Sequence, residues 1–233
     1  EGILVHQYGP HAFHTNKKYV WNFLSQYTDF NDFTLRVVAN TLEGQIPIPF
    51  NFKSQEIVGH KSAEEIKKLL FINYSEKMWG CDWNDMPKSI YSRVPATRAS
   101  YDDRYHTDEF QGIPSNGYTE MFKSMLDGIK VNLSVAKNDW RKVSRDLTIY
   151  TGKVDEYYDY TYGELPYRSL EFMKYKDKKR KHVQVNECNN KPWTREVDHS
   201  HFLNQDVDTT TITREYPCDH NKTNLPFYPM PFP

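Results

Sequence analysis

Cysteine is sparse. Cys81, Cys188 and Cys218 are odd in number and widely spaced, too few for a disulfide framework, and they point to a reducing compartment, the cytosol. Glycine is missing in one telling arrangement: no two of the 10 stand two apart. The G-x-G-x-x-G turn that seats a dinucleotide pyrophosphate on a helix N-terminus is therefore absent. Gly112-Ile-Pro-Ser-Asn-Gly117 has the glycine spacing of a P-loop, but Tyr118 stands where the phosphate-binding lysine belongs, which makes it an ordinary loop. Neither sign of charge prevails: 30 Lys and Arg against 31 Asp and Glu create no field suited to nucleic acid or to an anionic membrane. No apolar run approaches membrane-spanning length, and no charged-then-apolar leader precedes Gly2. The sequence starts at Glu1 without an initiator methionine and enters Ile3-Leu4-Val5 at once, as an excerpt or a degenerate descendant of a longer chain would.

What the sequence has in surplus is aromatic side chains, 15% of residues, with 17 Tyr and 5 Trp among 233 residues. Such side chains pair an apolar face with a polar tip and suit clefts that stack rings or line polyols, although on composition alone an unusually aromatic core is the better reading. The length fits one large domain or two small ones. Patterning predicts a strand over 2–8, a short helix over Lys17–Tyr27, and a hairpin over 35–52 that turns at Glu43-Gly44. Pro47 and Pro49 put the return strand at a sheet edge. Ser62 and Glu65 form a capping box for a helix running to about Tyr74, and further helical turns are expected over Met86–Tyr91 and Tyr118–Leu126. Lys130–Val135 and Leu147–Tyr150 read as strands, the second ending on Thr151-Gly152; three more are expected near 168–172, 182–186 and 209–215. The basic run Lys174–Lys181 reads as a solvated hairpin tip.

His199-Ser-His201, with Asp198, Cys218 and His220, offers the residue types of a zinc site, but no C-x-x-C or H-x-x-x-H spacing supports it. No G-x-S-x-G elbow marks a nucleophile. More specific is a series of ordered segments: Tyr8-Gly-Pro-His-Ala-Phe-His-Thr15, Asn73-Tyr-Ser-Glu-Lys-Met-Trp-Gly80, Pro87-Lys-Ser-Ile-Tyr-Ser-Arg-Val-Pro95, Tyr101-Asp-Asp-Arg-Tyr105 and Phe110-Gln-Gly-Ile-Pro114. Gly117-Tyr-Thr-Glu-Met121, Tyr150-Thr-Gly152, the stretch Tyr162–Leu170, Pro192-Trp-Thr-Arg195 and Pro226-Phe-Tyr-Pro229 follow in the same order. This series resembles the UDP-galactopyranose mutases, from residue 8 to residue 229.

The resemblance implies an isomerase that interconverts UDP-galactopyranose and UDP-galactofuranose, in which a reduced flavin adenine dinucleotide attacks the anomeric carbon, UDP leaves, and the sugar ring opens and recloses smaller. Carried onto this sequence, Arg93 and Arg195 would clamp the diphosphate, Tyr74 and Trp79 would lie against the uracil, and Tyr105 and Tyr228 would offer hydroxyls to the phosphates. His11 and Gly152 would meet the flavin. Without the motif context the arginines would read as surface ion pairs, the helical aromatics as core and His11 as structural.

The implied fold is mixed α/β (α+β): a flavin-domain-like piece over 1–34, a substrate-side hairpin over 35–52, a reduced helical part with a mobile loop over 53–127, flavin-domain-like strands over 128–163 and an antiparallel sheet over 164–233. Departures from the family pattern are the absent glycine-rich turn, the absent C-terminal flavin-contacting segment, a shortened stretch between Asn51 and Phe71, Ser75 in place of Thr, and one inserted residue near Thr97-Arg98. A non-catalytic remnant that binds a UDP-sugar or a partner without flavin is the rival reading, and a zinc hydrolase a third. The expected partner is a UDP-galactose-type nucleotide sugar, with no nucleic acid and no membrane, and the oligomeric state stays open, a homo-oligomer included.

Overall fold

A computed structural model describes residues 2–91, 97–135, 139–143 and 145–230. Its elements are β1 (Phe13–Thr15), α1 (Lys18–Leu24), β2 (Val37–Thr41), β3 (Gly44–Ile48), α2 (Phe52–Val58), α3 (Ala63–Lys67), α4 (Asn73–Trp79), α5 (Lys88–Tyr91), β4 (Phe110–Gly112), α6 (Tyr118–Met125) and α7 (Val154–Tyr157). They are followed by β5 (Tyr167–Lys178), β6 (Gln184–Glu187), β7 (Arg195–Asp198), β8 (Thr209–Asp219) and β9 (Tyr228–Pro229). Seven strands form one sheet in the order β3-β2-β6-β7-β8-β5-β9, and β1 pairs with β4 in a separate ribbon. The large sheet is antiparallel except at its centre-left junction, where β2 and β6 run parallel. The chain is thus mixed α/β.

The hairpin forms as predicted, with Val37 opposite Ile48 and Thr41 opposite Gly44. Its return strand lies at the edge of the sheet, where the missing N–H of Pro47 leaves no ladder bond unmade. Val37, Ala39 and Ile46 face inward together with Val197 and Phe202, and Ile66 and Leu70 from the helical layer close the core over them. Asn51 and Ser54 exchange side-chain and backbone hydrogen bonds at the start of α2, and Ser62 and Glu65 do the same at the start of α3. Both boxes satisfy N–H groups that a helix start leaves orphaned.

Helix α3 does not stop near Tyr74. A π-helical turn, Lys68–Ile72, carries it into α4 and as far as Trp79. It ends at Gly80, whose φ of +70° is the left-handed conformation that closes helices. Arg168 supports this end: its Nε donates to the Met78 carbonyl at 3.0 Å and its Nη2 to that of Lys77 at 3.3 Å, with Asp219 as counter-charge.

Three expectations are corrected. Residues 2–8 form no strand, because their backbone groups go to side chains: the His6 N–H donates to His199 Nδ1 at 3.2 Å. Lys130–Val135 and Leu147–Tyr150 form no strands, nor does any described residue of 128–163, because nothing pairs with them. The basic run is no free tip either. Lys174–Lys178 continue β5, paired out to Lys178 opposite Thr209, and Arg180 binds Glu196 at 3.0 Å and Asp177 at 2.8 Å.

Candidate functional site

The end of α4 is fixed twice over. Besides the Arg168 contacts, the Lys77 ammonium donates to four backbone carbonyls of the loop after β6: Glu187 at 2.7 Å, Asn189 at 2.8 Å, Lys191 at 3.0 Å and Trp193 at 3.0 Å. Three protons shared among four acceptors tie the helix to the sheet. Burial lowers the Lys77 pKa, with the neighbouring Glu187 working the other way. With α4 held, Tyr74 and Trp79 have fixed positions, and the Trp79 ring meets the Tyr228 ring edge-on at 6.1 Å. Tyr228 is placed by β9, which pairs with Arg168 on β5.

Opposite them, Arg195 opens β7 directly across from Glu215 on β8. Its Nε and Nη2 both reach one carboxylate oxygen, Oε2, at 2.7 Å. Burial opposes the guanidinium charge, but the Glu215 carboxylate outweighs it and the Arg195 pKa is raised. Glu215 is fully buried, and its other oxygen has no partner among the described residues. The Tyr74 and Tyr105 hydroxyls are pushed upward in pKa, chiefly by burial, so both remain neutral O–H donors at any ordinary pH.

The third wall is the segment from Leu4 to His14. The His11 backbone N–H donates to His6 Nδ1 at 3.0 Å, and His6 stacks on Phe202 at 4.2 Å with ring planes 6° apart. His199 bonds Thr213 Oγ1 at 2.7 Å behind it. Burial, reinforced by their neighbouring imidazoles, lowers His6 and His199 to about 4, so both are neutral near pH 7. The His11 ring contacts the Gly9 carbonyl through Nδ1 at 2.8 Å, which leaves Nε2 as its acceptor nitrogen when the imidazole is neutral.

These walls enclose a cavity of about 1210 Å³ lined by His11, Tyr74, Trp79, Tyr105, Arg195 and Tyr228. Six predicted residues scattered over 218 positions of sequence (11 to 228) thus meet in one place. Two do not join them. Arg93 lies outside the described residues, and Gly152 is exposed, away from the cavity. The zinc set is not assembled: His199 is buried on Thr213, His201 Nε2 lies 2.9 Å from the Arg180 carbonyl, and His220 bonds Asn224. Sequence reasoning missed Glu215, Lys77 and His6. The available signal for Glu215 was its place two residues after Thr213, on the face of β8 that is buried at both positions, where a carboxylate needs a cationic partner.

Residues 69–233 match the family model described as "GLF: UDP-galactopyranose mutase". A dTDP-fucopyranose mutase from Escherichia coli is 30% identical over 98% of this chain and 72% of its own length. A probable UDP-galactopyranose mutase from Klebsiella pneumoniae is 28% identical over 98% of this chain and 69% of its own length. The crystal structure of a reduced UDP-galactopyranose mutase shares the fold with a TM-score of 0.65 and 13% identity, over 92% of this chain; the chain spans 62% of that solved one.

Proposed function

The chain belongs to the UDP-galactopyranose mutase family of flavin-dependent isomerases, and on that premise we propose that it interconverts the pyranose and furanose forms of a nucleoside-diphosphate sugar, UDP-galactose first. One observation carries the reading: a partly buried guanidinium, neutral tyrosine hydroxyls and a tryptophan share the walls of a single large cavity. Arg195 keeps donors beyond those spent on Glu215 and binds the diphosphate, and Glu215 holds its plane in place. Tyr105 and Tyr228 donate hydroxyl hydrogen bonds to phosphate oxygens; Tyr74 and Trp79 receive the base on their faces. Arg93, from its motif, is the second phosphate ligand.

Two features support a fit of the flavin ring. His6 Nδ1 accepts from His11, so Nε2 carries the proton, and this buried donor on the cavity wall has no partner among the described residues. A flavin carbonyl would satisfy it. The His11 acceptor nitrogen lies on the same wall, which the segment from Leu4 to His14 supplies. When bound, reduced flavin supplies the nucleophile that exchanges with UDP at the anomeric carbon; His11 orients it and accommodates its charge. Gly152 enters only as a contact for the remainder of the cofactor. The relative named for dTDP-fucopyranose makes a thymidine diphosphate sugar the second substrate reading.

Calorimetric titration of the chain with UDP tests this reading. Arg195→Ala is expected to lose about 2–5 kcal/mol of binding, because truncating one member of a buried charge pair strands the other. Tyr105→Phe, which preserves packing, loses about 1 kcal/mol. Unchanged UDP affinity in both sinks the site. Uptake of flavin adenine dinucleotide, read as visible absorbance, separates the enzyme from the flavin-free sugar-binding remnant.

A further inference from the structure

Outside the chemistry assigned so far stands His14-His106-Asp108, the one group of His, Cys, Asp and Glu side chains among the described residues whose ligand atoms all come within 4.8 Å of one another. From this cluster we infer a binding site for a divalent cation of the zinc class, held by two imidazoles and one carboxylate at the wall of the large cavity. None of the three residues serves the diphosphate or the ring system in the reading above.

Spacing comes first. Metal–ligand bonds of ~2.0–2.2 Å in a tetrahedral site put ligand atoms about 3.3 Å from one another. His14 Nδ1 and Asp108 Oδ2 already stand 3.0 Å apart. The His106 ring lies over the His14 ring, centroids 3.5 Å apart and planes within 11°. Rings stacked in this way aim their nitrogens side by side, so an ion would tilt one imidazole out of the stack and replace the hydrogen bond between His14 and Asp108 with bonds of its own; the half-exposed His14 has solvent on one side into which to move.

The backbone beneath is already set. His14 is the middle residue of β1, paired opposite Gln111 on β4. The Gln111 side chain reaches back and donates to the carbonyls of His106 at 3.1 Å and Asp108 at 2.9 Å, and Asn16 accepts from the Glu109 N–H at 2.9 Å. The loop carrying two ligands is therefore cross-tied to the strand carrying the third, which is the preorganisation a metal site requires. Two imidazoles with one carboxylate suit zinc and its borderline neighbours rather than calcium or magnesium, which prefer all-oxygen shells. Because His14 and His106 both line the cavity, an ion there would keep its fourth position for water or an anionic oxygen within the cavity.

The intact chain, stripped with a chelator, is titrated with Zn²⁺ by calorimetry and with Co²⁺ by visible absorption. One equivalent should bind, with cobalt bands of nitrogen and oxygen ligation. His106→Ala and Asp108→Asn should each weaken binding more than about tenfold, while circular dichroism stays unchanged. Wild-type affinity in both variants would overturn the site, as would cobalt-thiolate absorption marking cysteine ligation, or no binding up to millimolar metal. His14→Ala gives an independent check if either variant misfolds.

Discussion

Alternating apolar residues meet opposite fates in two parts of this chain. In β2 and β3 they are buried, Ile46 completely; along Ile129, Val131, Leu133 and Val135, and again at Leu147 and Ile149, the same alternation ends in solvent, with Leu133 85% and Ile149 81% exposed. Propensity is not the difference, since both are rich in β-branched and aliphatic residues. Partners are. The sheet residues have a ladder partner, on one side for the edge strand β3 and on both for β2, and a helical layer above, whereas none of the described residues from 128 to 163 pairs as a strand. A strand is a relation between segments, and alternation supplies only one side of it.

The sharpest way to break this comparison is a matched pair of truncations. Ile46→Ala removes a fully buried side chain and should cost about 2–5 kcal/mol of unfolding free energy. Ile149→Ala, with its side chain already in water, should fall within about 0.5 kcal/mol of wild type. Urea titrations of both variants decide it, and an equal loss would mean that the 128–163 segment is packed in solution.

Acid provides the next contrast, because the buried histidines lie on the sheet side. His6 and His199 have pKa values near 4, lowered first by burial and then by the imidazole beside each, with Lys174 adding to this at His199 and Asp198 opposing it. Above the unfolded value of about 6.5 both states carry neutral rings and nothing is lost. As pH falls below it the unfolded chain takes protons that the folded chain refuses, so stability declines, by roughly 3 kcal/mol per histidine at pH 4. His199→Asn should flatten the decline of the urea midpoint between pH 6.5 and 4; an undiminished slope would place the acid sensitivity elsewhere.

Much of the ordered part was legible in the sequence. The 35–52 hairpin with its proline edge, the Ser62–Glu65 capping box and the turns of helix near Met86 and Tyr118 depend on local chemistry, and local chemistry shows in local sequence. The cavity was legible only through motif order: nothing in the spacing of Tyr74, Arg195 and Tyr228 says that they meet. Glu215 and Lys77 escaped because each takes its meaning from a partner far along the chain, a guanidinium 20 residues away and a ring of carbonyls more than 100 residues away. The strands expected at 130–135 and 147–150 failed for the converse reason, a correct pattern without a partner.

Two glycines refine the contrast at the smallest scale. Gly80 closes α4 with φ at +70°, and a Cβ there would lie 2.8 Å from Arg168 Nη1. Gly80→Ala therefore forces an L-residue into left-handed backbone, at about 1–2 kcal/mol, and pushes the arginine off the helix end it supports. Gly152 has no positive φ, and the atoms nearest its Cβ would be those of the Tyr150 ring, the hydroxyl at 2.5 Å; that ring, packed beside Trp140 and Tyr157, would have to shift. Gly152→Ala carries no backbone strain and should therefore lower the thermal midpoint less than Gly80→Ala does. A loss matching that of Gly80→Ala would show the segment held as firmly as the helix end. If stability holds while flavin uptake falls, the glycine serves the cofactor rather than the fold, and the exposed segment acquires the partner that its alternation calls for.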